Sequence, residues 1–517
     1  MTRQKSDDRV VPEGPRKLAK TRVSGGGKAV TVDEAAWQPE LPFATAEATR
    51  KRGAGAKSHV DRSTRKPAPR PKANDKNGTA VSATIEAVAE RLYEAFTKVA
   101  RNKGAAGPDG RSIGEVERHL DTVVRVARSE LLAGAFRPGD IRRVYIPKSG
   151  GGQRGLGIPN VVDRMVQEAV RQVLEPLYEP TFHPSSHGFR PNRGCQTAIA
   201  EAQRHLSDGY EWVVDLDLEK FFDRVHHQRL MARLAERVHD KRLLELVGRM
   251  LKAQVVMPEG VKVTTEEGVP QGGPLSPLLS NIVLDELDRE LAQRGHRFVR
   301  YADDANIYVR SERSGKRVMA SVTSFITRRL RLKVNEGKSA VARPETRHFL
   351  GYRLSPAGDG HTEVLLSERS ETRLRERVRE LTPRNRGVSL DTVIEEVNGY
   401  LTGWFGHFGI CTPKVERTIQ QVDAHLRRRL RGFILKQWKT KRTIARRLIR
   451  HGVKAKTAWR RVYEGRKNLH ALSRSLVVNK ALPNAFFAER GLVTLLDRFA
   501  KTWAEIVAPV QQVLPWG

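Results

Sequence analysis

The sequence predicts an α+β layer fold that passes, toward the C-terminus, into an all-helical and strongly basic region. Three observations predict it. Strand-like and helix-like segments alternate from about Thr84 to Glu368 without the regular count of βαβ units, which favours layered α+β packing. From about Ser370 the apolar residues recur at helical spacing. Finally, the formal net charge is +34 over 517 residues, although 39% of them are hydrophobic. Positive charge is therefore an excess laid over a chain that can bury a sizeable core, and an excess of this size calls for a polyanionic partner.

The same numbers exclude other classes. No apolar run approaches the roughly 18–20 residues that span a bilayer. The opening "MTRQKSDDRV" lacks the apolar core of a signal peptide. The two cysteines, Cys195 and Cys411, are too few and too far apart for a disulfide framework or a cysteine-rich zinc site. The expectation is a reducing, cytoplasmic compartment, with nucleic acid rather than a membrane as the partner.

The elements follow in order. Residues 1–80, typified by "RKPAPRPKANDKNG", are too polar to offset their chain entropy and read as a disordered basic arm. Order is expected from about Thr84, where Ile85, Val88, Leu92, Phe96 and Val99 mark a helix ended by "KGAAGPDG". "RRVYIPKSGGGQRGLGIP" reads as strand, glycine-rich turn, strand. "VVDRMVQEAVRQVLEPLYEP" reads as a helix stopped by proline, and "EWVVDLDLEKFFDRV" as a strand that becomes a helix. Glu236 to Lys252 is helical. "GVPQGGPLSPLLSNIVLDELDRELAQRG" is a Gly/Pro loop feeding a long helix. "VRYADDANIYV" is a hairpin, "VMASVTSFITRRLRL" a helix and "RHFLGYRLS" a strand.

The block Leu426–Lys467 holds seventeen Lys and Arg against one acid, Glu464, and interleaves Phe433, Trp438, Trp459 and Tyr463. Basic side chains track phosphates and aromatic faces stack on bases. The basic residues expected to contact RNA are Arg427, Arg428, Arg429, Arg431, Lys436, Lys439, Lys441, Arg442, Arg446 and Arg447.

The chemistry centres on carboxylates. In "WVVDLDL" strand alternation puts Trp212, Val214, Leu216 and Leu218 on one face, and Val213, Asp215 and Asp217 on the other. The "YADD" hairpin offers Asp303 and Asp304 at its tip. Adjacent like charges call for a cation. Carboxylates converging from two neighbouring strands would make a hard-oxygen site suited to Mg²⁺. Two such ions about 4 Å apart can activate a 3′-hydroxyl and stabilise a leaving pyrophosphate.

These residues also resemble a known family. "YADD", "VVDLDLEKFFDRVHH" and "GVPQGGPLSPLLSNIVLDELD" are similar to the palm motifs of reverse transcriptases, and "LRLKVNEGKS" followed by "FLGYRL" to the segments that close the palm. "RRVYIPKSGGGQRGLGIPNVVDRMVQEAV" and "SSHGFRPNRGCQTAI" resemble finger segments of group II intron-encoded reverse transcriptases, and "VNGYLTGWFGHFG" the start of their maturase domain X. The resemblance implies a right-hand polymerase. Its fingers and palm, with an antiparallel palm sheet, would occupy 81–368, and an α-helical thumb and domain X 369–470. A small C-terminal extension, a candidate DNA binder, would occupy 471–517.

It further implies roles for single residues. Asp217, Asp303 and Asp304 would be the catalytic metal ligands for two Mg²⁺, assisted by the Leu218 carbonyl. Asp215 is a rival for the first position, and the family's spacing to Phe222 selects Asp217. Phe222 would gate against a 2′-hydroxyl, Lys148 and Arg154 would grip the triphosphate, and Gln271 would contact the nucleotide. Lys338 would protonate pyrophosphate. The implied partners are group II intron RNA, an RNA template with a DNA primer or target, and dNTPs. Oligomeric state is left open. The implied function is RNA-directed DNA synthesis together with maturase assistance to splicing. Rival readings are a domesticated reverse transcriptase in a CRISPR-associated or phage-defence system, and a catalytically idle RNA-binding splicing factor. Gly155 stands where the family often has proline. No cysteine-paired endonuclease is expected after the basic block.

Overall fold

In the computed structural model the chain divides into two units, 1–71 and 72–517. The structure describes residues 83–147, 152–264, 266–357, 360–464 and 468–511, the side chains of the last stretch to 504, all within the second unit. The expected basic arm, 1–80, lies outside the described residues.

The architecture is α+β. Its strands are β1 (Ile141–Pro147), β2 (Gln153–Ile158), β3 (Trp212–Leu216), β4 (Val255–Val256), β5 (Lys262–Val263), β6 (Arg297–Tyr301), β7 (Asp304–Val309), β8 (Ala340–Ala342), β9 (Tyr352–Pro356) and β10 (Thr362–Leu366). They form three sheets, ordered β2-β1-β4-β5, β6-β7-β3-β8 and β10-β9. In the middle sheet every pairing is antiparallel. After β10 the described residues contain helices and turns only, beginning with Glu368–Leu381, Leu390–Phe408 and Glu416–Gln437.

Local chemistry accounts for several boundaries. Thr84 caps the first helix by accepting the Ala87 N–H, and Ile85, Val88, Leu92, Phe96 and Val99 are all buried, as their spacing predicts. The predicted continuous helix breaks once, at Arg91, into Ile85–Glu90 and Leu92–Arg101. Pro176 lies inside the Val161–Tyr178 helix, which stops before Pro180. The strand β3 does not run straight into a helix. Lys220 takes a left-handed φ of +50°, a single 3₁₀ turn covers Phe221–Asp223, and the next helix starts at His227. Likewise Glu236–Asp240 is not helical; Asp240 accepts the Arg242 and Leu243 N–H groups and starts the helix Lys241–Leu251.

Two apolar cores lie on either side of the middle sheet. Val214 and Leu216 of β3 join the core built by the first helices, Val161–Tyr178 and Ser276–Gln293. Val213, Val299 and Tyr308 point the other way and join a second core. That second core continues through Leu374, Val397, Leu426 and Phe433 to Val478, Leu482, Phe487, Leu495 and Phe499. Residues 476–499 therefore pack into the same helical body as the basic block. Among the described residues, no helix is long and apolar enough to cross a membrane.

Candidate active site

The site forms where β3 meets the β6–β7 hairpin. Antiparallel register sets Asp215 opposite Asn306 and Leu216 opposite Ala305, so Asp217 follows on toward the hairpin tip. Tyr301 pairs with Asp304, leaving Ala302 and Asp303 as a two-residue turn. Ala302 adopts φ +56°, the left-handed region such tight turns demand. A Cβ on Gly188 would lie 2.3 Å from the Ala302 nitrogen, so only glycine lets the "SSHGF" segment press against this turn.

The turn is held from below by Arg300, which is 1% exposed. Its guanidinium donates to both Asp288 carboxylate oxygens (2.7 and 2.6 Å), to Asn281 Oδ1 (3.0 Å), to the Ala302 carbonyl (2.8 Å) and to Ser186 Oγ (2.6 Å). Behind it, His187 contacts Thr197 and Glu201, and Ser185 donates to Glu201. Burial works against the Glu201 carboxylate, but the hydrogen bonds from His187, His205 and Ser185 prevail and hold its pKa well below the usual range. The sequence reading missed Arg300. A charge inside a strand reads as solvent-facing, and its partners Asn281 and Asp288 lie seven residues apart on a helix that also carries Asp285 and Glu286.

Asp217 is fixed through its backbone. Its N–H donates to Ser339 Oγ (3.0 Å), and its carbonyl accepts from Asn335 N–H (2.8 Å). Leu218 bridges to Val334 and buries its side chain. Asp215, the rival, is neutralised by Arg347, whose Nη2 and Nε lie 2.5 and 2.9 Å from its Oδ2.

The remaining carboxylates share one electrostatic field. Asp303 is raised by desolvation first and by Asp217 next, while Arg154 and Arg300 oppose the shift. Asp304 is pushed up to about 7, again by desolvation first, then by Asp303, Asp217 and Asp215, with Lys338 opposing. The Asp304 residue is nonetheless open to solvent, so the like-charge part is the share a bound cation would reverse. Lys338 Nζ sits 3.4 Å from Asp217 Oδ2. Among the described residues neither Asp303 nor Asp304 has an ion-pair partner, and no three His, Cys, Asp or Glu side chains are grouped so as to hold a metal ion. The donors are hard carboxylate oxygens, and of the three only Asp217 has a cationic partner, a chemistry that fits a hard divalent cation. The structure thus brings Asp217, Asp303, Asp304, Lys338 and Arg154 into one field.

The fingers reach the same cleft. In the β1–β2 ribbon Arg154 pairs with Ile146 beside the glycine-rich turn; Lys148 lies outside the described residues. A Cβ on Gly155 would come 2.6 Å from Arg143 Nε. Glycine there leaves room for Arg143, which ion-pairs with Asp223 (3.3 Å), the neighbour of Phe222. The "GVPQGG" loop is stitched to both sides. Val269 N–H donates to the Phe222 carbonyl (2.6 Å), and Gly157 N–H donates to the Gln271 carbonyl (2.6 Å). A Cβ on Gly272 would lie 2.5 Å from the Gly157 carbonyl oxygen. Phe222 is half-buried, its ring edge-on to Phe221.

The basic block divides in two. Lys436, Lys439, Lys441, Arg442, Arg446 and Arg447 are exposed. Arg427 and Arg428 are partly buried. Arg429 is engaged internally, donating to Thr382 Oγ1 (2.6 Å) and to the Arg379 and Thr382 carbonyls. Arg431 corrects the sequence reading: it is 7% exposed and donates to the Leu482 carbonyl (2.9 Å) and Asn484 (3.2 Å), so it staples helices and cannot reach a phosphate. Phe433 and Trp438 are core residues, whereas Tyr463 is exposed, with Lys441 over its ring. His227 has a structural contact with the Gly268 carbonyl (2.6 Å), and both cysteines are free and buried.

An antiparallel sheet carrying clustered aspartates at a hairpin, faced by a basic finger ribbon and followed by a helical body, defines a polymerase of the reverse-transcriptase class. Residues 146–354 match the model described as "Reverse transcriptase (RNA-dependent DNA polymerase)", and 372–452 match "Group II intron, maturase-specific domain". "Protein YkfC" of Escherichia coli (strain K12) is 40% identical over 211 residues, covering 40% of this chain and 55% of that protein. "Group II intron-encoded protein LtrA" of Lactococcus lactis subsp. cremoris is 37% identical over 212 residues, covering 40% of this chain and 34% of that protein. The chain thus spans about half and a third, respectively, of these relatives. It belongs to the group II intron-encoded reverse transcriptase/maturase family.

Proposed function

We propose that this chain is the RNA-directed DNA polymerase of a mobile group II intron and also its maturase, acting in the cytoplasm. It would bind the intron RNA to promote splicing and copy it into DNA. The observation that carries the reading is the shared field of Asp217, Asp303 and Asp304 opposite Arg154. Family membership implies divalent-metal chemistry, and the hard-oxygen donors support Mg²⁺, as a pair of ions. When bound there, Mg²⁺ would activate the primer 3′-hydroxyl and stabilise the leaving pyrophosphate.

The side chains of this protein supply the rest. Asp217, Asp303 and Asp304 hold the cations, with the Leu218 carbonyl beside them. Arg154, with Lys148, grips the triphosphate and offsets the charge that develops in transfer. Lys338 gives a proton to pyrophosphate, a role that its contact with Asp217 supports. Phe222 limits room at the sugar 2′ position, and Gln271 contacts the nucleotide. In splicing the protein performs no bond chemistry; preferential binding to the active RNA fold shifts its equilibrium. The exposed cations from Lys436 to Arg447 make that contact.

Primer extension on an RNA template with dNTPs, with and without Mg²⁺, tests the reading. Extension should require Mg²⁺ and disappear in Asp303→Ala/Asp304→Ala, while binding of the intron RNA and assistance to its splicing survive. Loss of both activities at equal soluble yield refutes the division of labour.

A further inference from the structure

We propose that the helical region carries a pocket in which several guanidinium groups share one phosphate of a bound RNA. The inference rests on the RNA-binding reading above and adds a specific site to it. Where the Glu368–Leu381 helix ends, Arg379 and then Arg384 face the Glu416–Gln437 helix, which contributes Arg428 and Arg429. Arg474 closes the third side, just beyond the short helix Leu469–Leu472. These five arginines, with His425 and His470, line a cavity of about 290 Å³ that has no acidic residue in its wall.

The charge there is uncompensated by design of the neighbourhood. Nearby acids are paired elsewhere: Glu371 with Arg375, Glu380 with Arg377 and Glu396 with Arg386. None of the five pocket arginines has an ion-pair partner among the described residues. Burial and then mutual repulsion depress the pKa of Arg428, through Arg474 and Arg379, and of Arg429, through Arg384, Arg379 and Arg428. Like charges gathered from three separate segments cost free energy unless an anion joins them.

The hydrogen-bond inventory points the same way. Arg429 is anchored by the Thr382 and Arg379 acceptors, so its guanidinium is held in place before any ligand arrives. Arg428 Nη2 donates to His425 Nδ1 at 2.5 Å, which leaves the imidazole proton on Nε2. That Nε2 is buried without a partner. The floor is backbone: a Cβ on Gly432 would come 3.5 Å from Arg384 Cδ and 3.8 Å from Ser473 Cβ. A concave set of donors without an acceptor takes a group made of acceptors, and phosphate is that group in RNA.

Shape decides the stoichiometry. Cations spread along a helix surface can each meet their own phosphate. Cations converging on one cavity cannot, because successive phosphates of a strand do not fit into it together. This makes a distinctive prediction for salt dependence. Each phosphate neutralised on single-stranded nucleic acid contributes about 0.7 to the log–log salt slope. Removing two pocket arginines should therefore weaken binding strongly while lowering the slope by no more than about 0.7. Removing two independent surface cations should lower it by about 1.4.

The test is fluorescence anisotropy of the full chain with a short labelled RNA, over a salt series. Arg384→Gln/Arg474→Gln alters two exposed pocket residues and is compared with Arg442→Gln/Arg446→Gln. The pocket pair should lose tenfold or more in affinity, on the order expected for charge-assisted bonds, with the smaller slope change. Unchanged affinity, or a slope loss equal to that of the surface pair, overturns the proposal. Absence of salt-dependent binding in the unaltered protein would instead refute the RNA-binding reading on which it rests. Repeating the titration with 5′-phosphate and 5′-hydroxyl RNA separates the two sources of the phosphate. A preference for the first assigns a terminal monoester, and equal affinity assigns a bent phosphodiester backbone.

Discussion

Arg300 offers the most demanding check on how the catalytic hairpin is held. Arg300→Met keeps an unbranched apolar stem and removes five hydrogen bonds: two to Asp288 and one each to Asn281, the Ala302 carbonyl and Ser186. Asp288 is fully buried, so the change strands a buried carboxylate, which costs about 3–5 kcal/mol. At a urea slope of about 3 kcal/mol/M this moves the unfolding midpoint down by about 1–1.7 M. Adding Asp288→Leu removes the stranded charge and should recover most of that loss, since apolar pairs often replace buried ion pairs at little cost. It cannot restore the bond to Ala302, the backbone carbonyl in the turn that carries Asp303 and Asp304. The double variant should therefore regain stability without regaining primer extension. Two results would refute the argument: no change in midpoint for Arg300→Met, or recovered extension in the double variant.

Other changes separate neighbouring roles. Gly155→Ala places a Cβ against the Arg143 guanidinium and should loosen its pair with Asp223; steady-state extension kinetics should show a severalfold higher KM for dNTP with little change in kcat, and Arg143→Ala on the same background should relieve the clash. Arg431→Met should lower thermal stability and leave the salt slope of RNA binding unchanged, whereas Arg442→Gln should lower the slope by about 0.7 at unchanged stability. His425 is pushed down to about 4 by burial and by Arg428, Arg429, Arg379 and Arg375. Its folded pKa lies below the unfolded value, so the unfolded chain binds more protons between about pH 4 and 6.5. Stability should fall as pH drops through that window, and His425→Gln should flatten the part of the decline measured by urea midpoints.

What the sequence discloses depends on whether a residue's task is local. The β3 alternation, the hairpin and the glycine-rich finger turn follow from period-two patterning and turn chemistry, so Asp217, Asp303, Asp304 and Arg154 could be placed on them directly. Spacing within the strand leaves Asp215 and Asp217 open; the family's spacing to Phe222 selects Asp217, and Arg347, far along the chain and unread in the sequence, pairs with Asp215. Arg300 was invisible for the same reason, its partners lying on another helix and another loop. The glycines of "PQGG" read only as part of a Gly/Pro loop, whereas Gly272 serves as a contact surface against the backbone of β2. In the basic block, composition could not tell Arg431, folded under Asn484 and Leu482, from Arg442 in solvent. Helical periodicity marks a face, and which face is covered is decided by residues some fifty positions later, at 478–499.

The strand β3 sends alternate side chains into two different interiors, Val214 and Leu216 to one and Val213 to the other. The sheet-bearing half and the helical half consequently share an interior and are not exchangeable modules. A fragment cut at residue 368 would lay bare Tyr352, which packs on His407 and Phe408, and would be expected to aggregate. A frameshift behind the hairpin would take away part of the second interior together with the helices that follow it.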